Sequence, residues 1–248
     1  GKDFVIAHSS CNVKALSTAL VRGAFEYQGQ KCSAASRAYI PAELWPELKE
    51  LMAKDLAEIK TGPVEDFSNF VNAVIDEKAF DNITSYIAKA KQSADAEIVF
   101  GGSYDKSKGY FIQPTVILAK KPGYVTMCEE IFGPVLTIYL YKETEFEAIL
   151  ETANTTSPYA LTGAIFAQDK DAIALAKKIL YNAAGNLYIN DKPTGAVVNQ
   201  QPFGGSRASG TNDKAGSMFN LMRWVSPRVI KENHNPPTDY KYPFMEEK

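Results

Sequence analysis

Apolar residues at spacings of three and four predict the first helix of the chain. Val13, Leu16, Leu20, Ala24 and Tyr27 follow this spacing, which indicates an amphipathic helix over residues 12–27 that the glycine at position 29 can terminate. The apolar run SRAYIP (36–41) then predicts a strand. A long helix is predicted over residues 42–60, because acidic side chains come early in it and a lysine ends it.

The rest of the chain repeats this alternation of strand and helix. Strands are predicted over 97–100, 112–118, 135–141, 162–166 and 185–189, and helices over 76–92, 144–153 and 169–181. Strands that alternate with helices of this length are typical of crossover connections. We therefore predict an α/β fold with a mostly parallel open sheet and helices on both faces.

The two ends of the chain differ from this regular part. The segment LMRWVSPRVIK (221–231) predicts an extended arm, and terminal strands of this kind usually pair with the edge of a partner. We therefore divide the chain into one domain over 1–220 and an oligomerisation arm with a polar tail over 221–248. The chain has no initiator Met and opens almost inside a strand-like run, so we expect a fragment or a processed chain of a longer protein.

Composition and charge exclude several classes of function. The 248 residues are 45% hydrophobic and carry a formal charge of -2, without a basic run that interleaves with aromatics, so we expect no nucleic-acid partner. No apolar stretch approaches the roughly 20 residues that cross a bilayer, so we expect no membrane partner. The three cysteines are far apart and none belongs to a CxxC pair, which predicts neither disulfides nor a metal site.

The segment FEYQGQKCSA (25–34) contains the strongest candidate for a reactive residue. Cys32 follows a glycine and adjoins Lys31, and a cation together with free backbone N–H groups favours the reactive thiolate form of a cysteine. A small buried thiol is the other interpretation, and local sequence leaves both open. Cys11 and Cys128 lack such surroundings, and we interpret both as packing.

A cysteine hydrolase would need an imidazole beside the thiol. The sequence offers only two histidines, His8 at the end of the opening strand and His234 in the polar tail. Neither setting favours catalysis, so any base for Cys32 would be another residue type or lie outside the chain.

Two further segments carry groups suited to binding. In CEEIFGPVL (128–136), Glu129 and Glu130 cannot share a face of an extended chain, which argues against a carboxylate pair. One carboxylate could instead bind a ribose diol beside Phe132, or the segment could be an ordinary acidic turn.

The loop over 190–216 is rich in Gly, Ser, Asn and Thr, and its exposed N–H groups suit a carboxylate or phosphate, although a solvated loop is the alternative. It matches neither a P-loop nor GxGxxG.

The order of several motifs resembles the aldehyde dehydrogenase superfamily. The motifs are GK at the start, GQKCSA, EEIFGPVL, LTGAIF, GNLYIND and PFGGSRASGTNDKAG, and the likeness extends over residues 1 to about 235. The variants EYQGQKCSA and QQPFGGSRASGTNDKAG are most similar to the branch that oxidises glutamate semialdehyde to glutamate in proline catabolism. The resemblance therefore implies an NAD-dependent enzyme with a small aldehyde substrate.

The resemblance also implies a role for each candidate residue. Cys32 matches the nucleophile, which forms a thiohemiacetal and then a thioester, and its backbone N–H matches half of an oxyanion hole. Glu130 and Phe132 match the residues that hold the nicotinamide ribose and ring of NAD. The positions that match a substrate anchor loop for the glutamate carboxylate and aliphatic chain are Ser33, Gly195, Ala196 and Phe203.

The chain also departs from the family pattern. The glutamate base, the oxyanion-hole asparagine, the N-terminal dinucleotide-binding domain and the hairpin that pairs with the C-terminal arm have no counterpart in these 248 residues. We therefore expect no appreciable NAD-linked turnover by this chain alone, and a non-catalytic binding or structural protein is the competing hypothesis. The resemblance implies a homo-oligomeric parent, located in the mitochondrial matrix if eukaryotic and otherwise in the cytoplasm.

Overall fold

The computed structural model describes residues 1–197 and 199–246. The other three positions, one in the loop predicted over 190–216 and two at the end of the predicted tail, lie outside the described residues. The strands are β1 (Asp3–Ala7), β2 (Ala35–Pro41), β3 (Ala96–Phe100), β4 (Tyr104–Asp105), β5 (Phe111–Ile112), β6 (Thr115–Ala119), β7 (Val135–Tyr141), β8 (Tyr159–Ala160), β9 (Thr162–Phe166), β10 (Asn186–Ile189) and β11 (Ser206–Arg207). The α-helices are α1 (Val13–Phe25), α2 (Trp45–Glu58), α3 (Glu77–Gln92), α4 (Val125–Cys128), α5 (Phe146–Thr155), α6 (Lys170–Ile179) and α7 (Met218–Leu221).

Seven strands form one sheet in the order β10-β9-β1-β2-β7-β6-β3. Every neighbouring pair is parallel except β3 and β6, which pair antiparallel at one edge. The mostly parallel α/β fold predicted from the sequence is therefore confirmed. The small pairs β4–β5 and β8–β11 were not predicted, because two-residue strands carry no periodic signal.

Helices cover both faces of the sheet, as predicted. Successive side chains of a strand point to opposite faces, so Val5 of β1 packs in the cluster that contains α1 and α2, whereas Phe4 and Ile6 pack in the cluster that contains α5 and α6. A third cluster packs α3 over the edge formed by β3 and β6. The strands of the centre are thus buried on both faces, as parallel sheets require.

Side-chain caps help to set where the helices begin. Asn12 Oδ1 accepts the N–H of Ala15 at 3.0 Å at the start of α1, and Asp76 Oδ1 accepts the N–H of Ala79 at 2.7 Å at the start of α3. Such caps satisfy N–H groups that have no partner within the helix. The observed starts lie within two residues of the predicted ones, apart from α2, which begins at Trp45 after a short 3-10 turn.

The C-terminal segment differs from the predicted arm. Residues 218–224 form α7 and a 3-10 turn, where an extended segment was expected from position 221. Within the described residues no strand pairs with this segment, so the local helix preference of its Met and Leu residues prevails. Residues 225–246 are exposed, and the boundary at 220 stays a prediction. Within the described part of the chain no helix is long and apolar enough to cross a bilayer.

A left-handed turn follows α1 and redirects the chain. Tyr27, Gln28 and Gly29 have φ values of 54°, 57° and 64°. A Cβ atom at position 29 would overlap the carbonyl oxygen of Gly133, so the two backbones touch. This turn ends α1 and brings the segment with Cys32 against the segment with Phe132.

We predict that Gly29→Ala destabilises the protein by roughly 2–4 kcal/mol, because a left-handed backbone and a clash with a carbonyl group add. The matched control is Gly123→Ala, since a Cβ at position 123 meets nothing within 4 Å and should change the free energy of unfolding by less than about 0.5 kcal/mol. Urea denaturation of both variants measures the difference. Equal losses in the two variants would contradict the role given to Gly29.

Candidate active site

Cys32 lies in a tight turn that leads into β2. The N–H of Ala34 donates to the carbonyl of Lys31 at 3.1 Å, which places Cys32 and Ser33 at the two central positions. We call residues 31–34 the cysteine turn. The Cys32 side chain is exposed, so the packing interpretation of this thiol is wrong. Cys11, in contrast, is buried, and burial raises the pKa of its thiol to about 11.

The backbone of the cysteine turn also provides a donor. Among the described residues, the N–H of Cys32 has no hydrogen-bond acceptor. An N–H group beside a nucleophile can stabilise the negative oxygen that develops on an attacked carbonyl. The geometry is therefore compatible with the oxyanion contact expected from the sequence.

The exposed thiol faces a cleft of about 710 Å³, which we call the main cleft. The size is within the range of small-molecule sites. Six of the seven candidate site residues are among those that line it: Cys32, Ser33, Phe132, Gly195, Ala196 and Phe203. Segments separated by more than 160 positions along the chain thus meet at one site.

Ser33 connects the cysteine turn to the long loop over 190–216. Its buried hydroxyl donates to Thr194 Oγ1 at 2.9 Å, and both residues line the main cleft. Thr194 precedes Gly195 directly, so this hydrogen bond helps to fix the distance between Cys32 and the Gly195–Ala196 peptide. No local pattern in the sequence indicates this role for Thr194.

Glu130, the seventh candidate, is not among the residues that line the main cleft. It lines a neighbouring narrow crevice together with Cys32 and Phe132. Glu130 is half-buried, whereas Glu129 is exposed and accepts a hydrogen bond from the Tyr86 hydroxyl at 2.6 Å. The two neighbouring carboxylates thus have different surroundings.

Phe132 adopts an unusual backbone conformation. Its φ is 59°, a left-handed value that is uncommon for an aromatic residue, and its side chain is 46% exposed. Strained residues of this kind occur often at functional sites. The next residue is Gly133, whose contact with Gly29 holds this conformation beside the cysteine turn.

Lys214 anchors the second half of the long loop. Its ammonium donates to the carbonyls of Gly185 at 2.5 Å and Gly204 at 2.9 Å, and to Asn186 Oδ1 at 3.1 Å. Burial lowers the pKa of this lysine. These contacts hold Gly204 near the start of β10, and so hold the preceding Phe203 at the cleft.

One carboxylate joins the cysteine turn to the first half of the long loop. Glu26 Oε2 accepts hydrogen bonds from Lys31 Nζ and from Lys192 Nζ, each at 3.0 Å. Partial burial opposes ionisation of Glu26, but the hydrogen bonds from Lys192 and Lys31 outweigh it and hold the pKa of the carboxyl below its usual value. Sequence reasoning noted only Lys31 of this cluster, because the partners are 166 positions apart.

Three ionisable side chains are buried in or beside β1 and β2: Lys2, Asp3 and Arg37. Arg37 Nε donates to the Lys2 carbonyl at 3.0 Å, and the Asp3 carboxylate accepts the N–H of Thr162 at 2.5 Å. Burial, with the Arg37 charge, lowers the pKa of Lys2 to about 7, and burial raises the pKa of Asp3 to about 7. This cluster could not be predicted from the sequence, because charged residues are rarely so deeply buried.

The histidines are not at the site. His8 Nδ1 lies 2.9 Å from Ser10 Oγ, and His234 is exposed. Neither is among the residues that line the main cleft. Across residues 1–197 and 199–246, no three His, Cys, Asp or Glu side chains are grouped as metal ligands would be.

Comparison with known proteins shows the family of the chain. A family model described as the aldehyde dehydrogenase family matches residues 1–230. The chain belongs to the aldehyde dehydrogenase family. The resemblance inferred from the order of the sequence motifs is therefore confirmed.

Among the family's curated members, similar relatives are named delta-1-pyrroline-5-carboxylate dehydrogenase, mitochondrial. The protein from Dictyostelium discoideum is 60% identical over 99% of this chain and the one from Homo sapiens 49% over 99%, each match covering 44% of the relative. A crystal structure of the Delta-pyrroline-5-carboxylate dehydrogenase from Mycobacterium tuberculosis has a TM-score of 0.89 and 48% identity, covering 99% of this chain and 45% of that one. A second structure of that enzyme is described as bound with NAD. The chain thus spans less than half the length of these relatives.

We predict that Lys214→Met loosens the long loop, because it leaves two carbonyl groups and one amide oxygen without their charged donor. Limited proteolysis within residues 199–216 should become at least severalfold faster, while Lys177→Met, which removes an exposed lysine of α6, should leave it unchanged. An unchanged cleavage rate in Lys214→Met would show that the ammonium does not hold this loop.

The Glu26 cluster should depend on pH. Its carboxyl has a pKa below 4.5 in the folded protein, so the cluster contributes its full stability above that pH and loses it as the pH falls through the folded pKa. We expect Glu26→Gln to be less stable than wild type at pH 7 by about 0.5–1 kcal/mol, and we expect this difference to shrink progressively as the pH falls below 4.5. Denaturation curves over a series of acidic pH values measure this, and a difference that does not shrink would contradict it.

Proposed function

We propose that these residues form the catalytic portion of an NAD-dependent dehydrogenase that oxidises glutamate γ-semialdehyde to glutamate. The observation that carries the proposal is the position of Cys32. Its exposed thiol lines both the main cleft, which contains Gly195 and Ala196, and the narrow crevice that Glu130 also lines. The thiol is therefore next to the groups proposed for the substrate carboxylate and next to those proposed for the nicotinamide.

The long loop supplies the carboxylate site. Gly195 has a φ of 109°, a value that favours glycine, and both Gly195 and Ala196 line the main cleft. Backbone N–H groups presented in this way suit a carboxylate. Phe203 then provides an apolar wall for the methylene groups of the substrate, as the sequence comparison implies.

Cys32 supplies the nucleophile. After the thiol gives its proton to water, the sulfur forms a bond to the aldehyde carbon, the carbonyl electron pair moves to oxygen, and the N–H of Cys32 stabilises that oxygen. Transfer of a hydride from the same carbon to a bound nicotinamide would leave a thioester, and attack of water on this thioester would release the acid and restore the thiol. The described residues that line the main cleft include no carboxylate and no imidazole, so we assign the covalent reaction of Cys32, rather than turnover, to residues 1–248.

The crevice residues Glu130 and Phe132 carry groups that suit the nicotinamide end of NAD. Glu130 presents a partly exposed carboxylate, which can accept hydrogen bonds from a ribose diol, and Phe132 presents a 46% exposed ring. Bound NAD would accept the hydride. The role of the protein groups is to orient the nicotinamide towards the carbon that Cys32 holds.

Location and assembly follow the relatives. Several eukaryotic relatives are named mitochondrial, so we propose the mitochondrial matrix for a eukaryotic source and the cytoplasm otherwise. We also propose that the parent protein is a homo-oligomer. Exposed apolar side chains after α7, among them Trp224, Val229 and Ile230, support this because such surfaces commonly contact partners.

The covalent reaction can be tested without turnover. We expect iodoacetamide and an activated ester such as p-nitrophenyl acetate to label Cys32 faster than Cys11 or Cys128, because Cys32 is the exposed thiol of the three. Millimolar glutamate should slow this labelling at least threefold by occupying the main cleft. Peptide mass spectrometry at several times gives the rate at each cysteine.

Cys32→Ser serves as the control and should retain only the slow background at the other two thiols. Exposed Lys177→Met should react as the wild type does. An inert Cys32 would refute the nucleophile, and rapid labelling that glutamate does not slow would refute the carboxylate site.

A further inference from the structure

The main cleft is bounded by two segments that come from distant parts of the chain. The cysteine turn contributes Cys32, and the long loop contributes Gly195 and Ala196. A substrate that binds both must span the distance between them. The relative position of these two segments therefore determines which chain length fits.

Glu26 is bonded to both segments through a single oxygen atom. Lys31, which contacts it, adjoins Cys32, and Lys192, the other contact, lies three positions before Gly195. The Lys192 side chain also folds back over Gly195 of its own loop, because its Nζ lies 3.2 Å from the point where a Cβ at Gly195 would be. Glu26 follows the last residue of α1, so its backbone is held by a helix packed against the sheet.

The cluster is more enclosed than an ordinary surface ion pair. The side chains of Glu26, Lys31 and Lys192 are 27%, 31% and 22% exposed, compared with 66% and 44% for the pair Lys121–Asp95. Partial burial strengthens the attraction between charges and reduces its screening by salt. Two ammonium groups on one carboxylate also restrict its rotamers more than one would.

A second contact acts on the same two segments. The hydrogen bond from Ser33 to Thr194 is buried and involves no charge. It lies within the cleft, whereas Glu26 is not among the residues that line it. The two contacts hold the segments together at different points, so loss of Glu26 should permit tilting of the long loop without its release.

We propose that Glu26 is a positioning residue that sets the distance between Cys32 and the Gly195–Ala196 peptide, and so makes the site selective for the length of an acidic aldehyde. This inference rests on the proposed function. The preferred ligand class is a five-carbon chain with a carboxylate at one end and the reacting carbon at the other. Because Glu26 fixes this distance, ligands that are one carbon shorter or longer fit less well.

The test compares ligands that differ only in length. Aspartate, glutamate and 2-aminoadipate have four, five and six carbons in the chain, and each is used to protect Cys32 from iodoacetamide. The apparent Kd of each ligand comes from the labelling rate as a function of its concentration. We expect wild type to prefer glutamate over both others, and Glu26→Gln to reduce this preference at least threefold.

Each Kd is obtained from labelling rates divided by the rate of the same variant without ligand. A change in the intrinsic reactivity of Cys32 therefore cancels. Lys192→Met should reduce the preference as Glu26→Gln does, and the double variant should lose little more, since both remove the same contact. Lys192→Arg keeps the charge and should retain most of the preference. The Lys192→Met and Lys192→Arg pair provides the test if Glu26→Gln fails to give the circular dichroism spectrum of the wild type.

Asp95→Asn is the matched control, because it removes a carboxylate from an exposed pair with Lys121 beside β3, at the sheet edge opposite β10. It should leave all three Kd values unchanged. An unchanged preference for glutamate in Glu26→Gln and Lys192→Met would overturn this inference alone. Failure of every ligand to protect wild-type Cys32 would overturn the proposed carboxylate site and this inference together.

Discussion

The contact between Gly29 and the carbonyl of Gly133 is the constraint on which the site depends. The left-handed turn over Tyr27, Gln28 and Gly29 sends the chain away from the axis of α1, and only a glycine can approach the Gly133 backbone so closely. Cys32 lies three positions after Gly29, and Phe132 lies one position before Gly133. A single backbone contact thus places the proposed nucleophile beside the proposed nicotinamide site.

The sheet explains why these segments can meet at all. β1, β2 and β7 are adjacent and parallel, so their amino ends lie at the same end of the sheet. Cys32 and Ser33 directly precede β2, and the Glu130 segment directly precedes β7. The long loop follows β10 and returns to this end of the sheet, where Lys214 donates a hydrogen bond to the carbonyl of Gly185, just before β10. The site is therefore formed by segments next to the amino ends of strands, and hydrogen bonds and ion pairs connect these segments.

Much of this architecture could be predicted from periodicity, because the helices and the longer strands have strong apolar patterns. The order of motifs also identified Cys32, Phe132 and Gly195, which the structure brings to one cleft. What could not be predicted depends on contacts between distant residues. Neither the bond from Lys192 to Glu26 nor the positive φ of Phe132 has a local signature, since each is imposed by a neighbour more than 100 positions away.

The pairing of β1 with β9 has a consequence for synthesis on the ribosome. Phe4 lies opposite Gly163, so a central strand of the sheet waits for a neighbour about 160 residues later, and translation of that interval takes roughly 10–30 s. During this time the apolar residues of β1 lack one of their two neighbouring strands. Chaperones that shield exposed apolar segments would be needed most in this interval, and a nascent chain released before β9 would have an incomplete core.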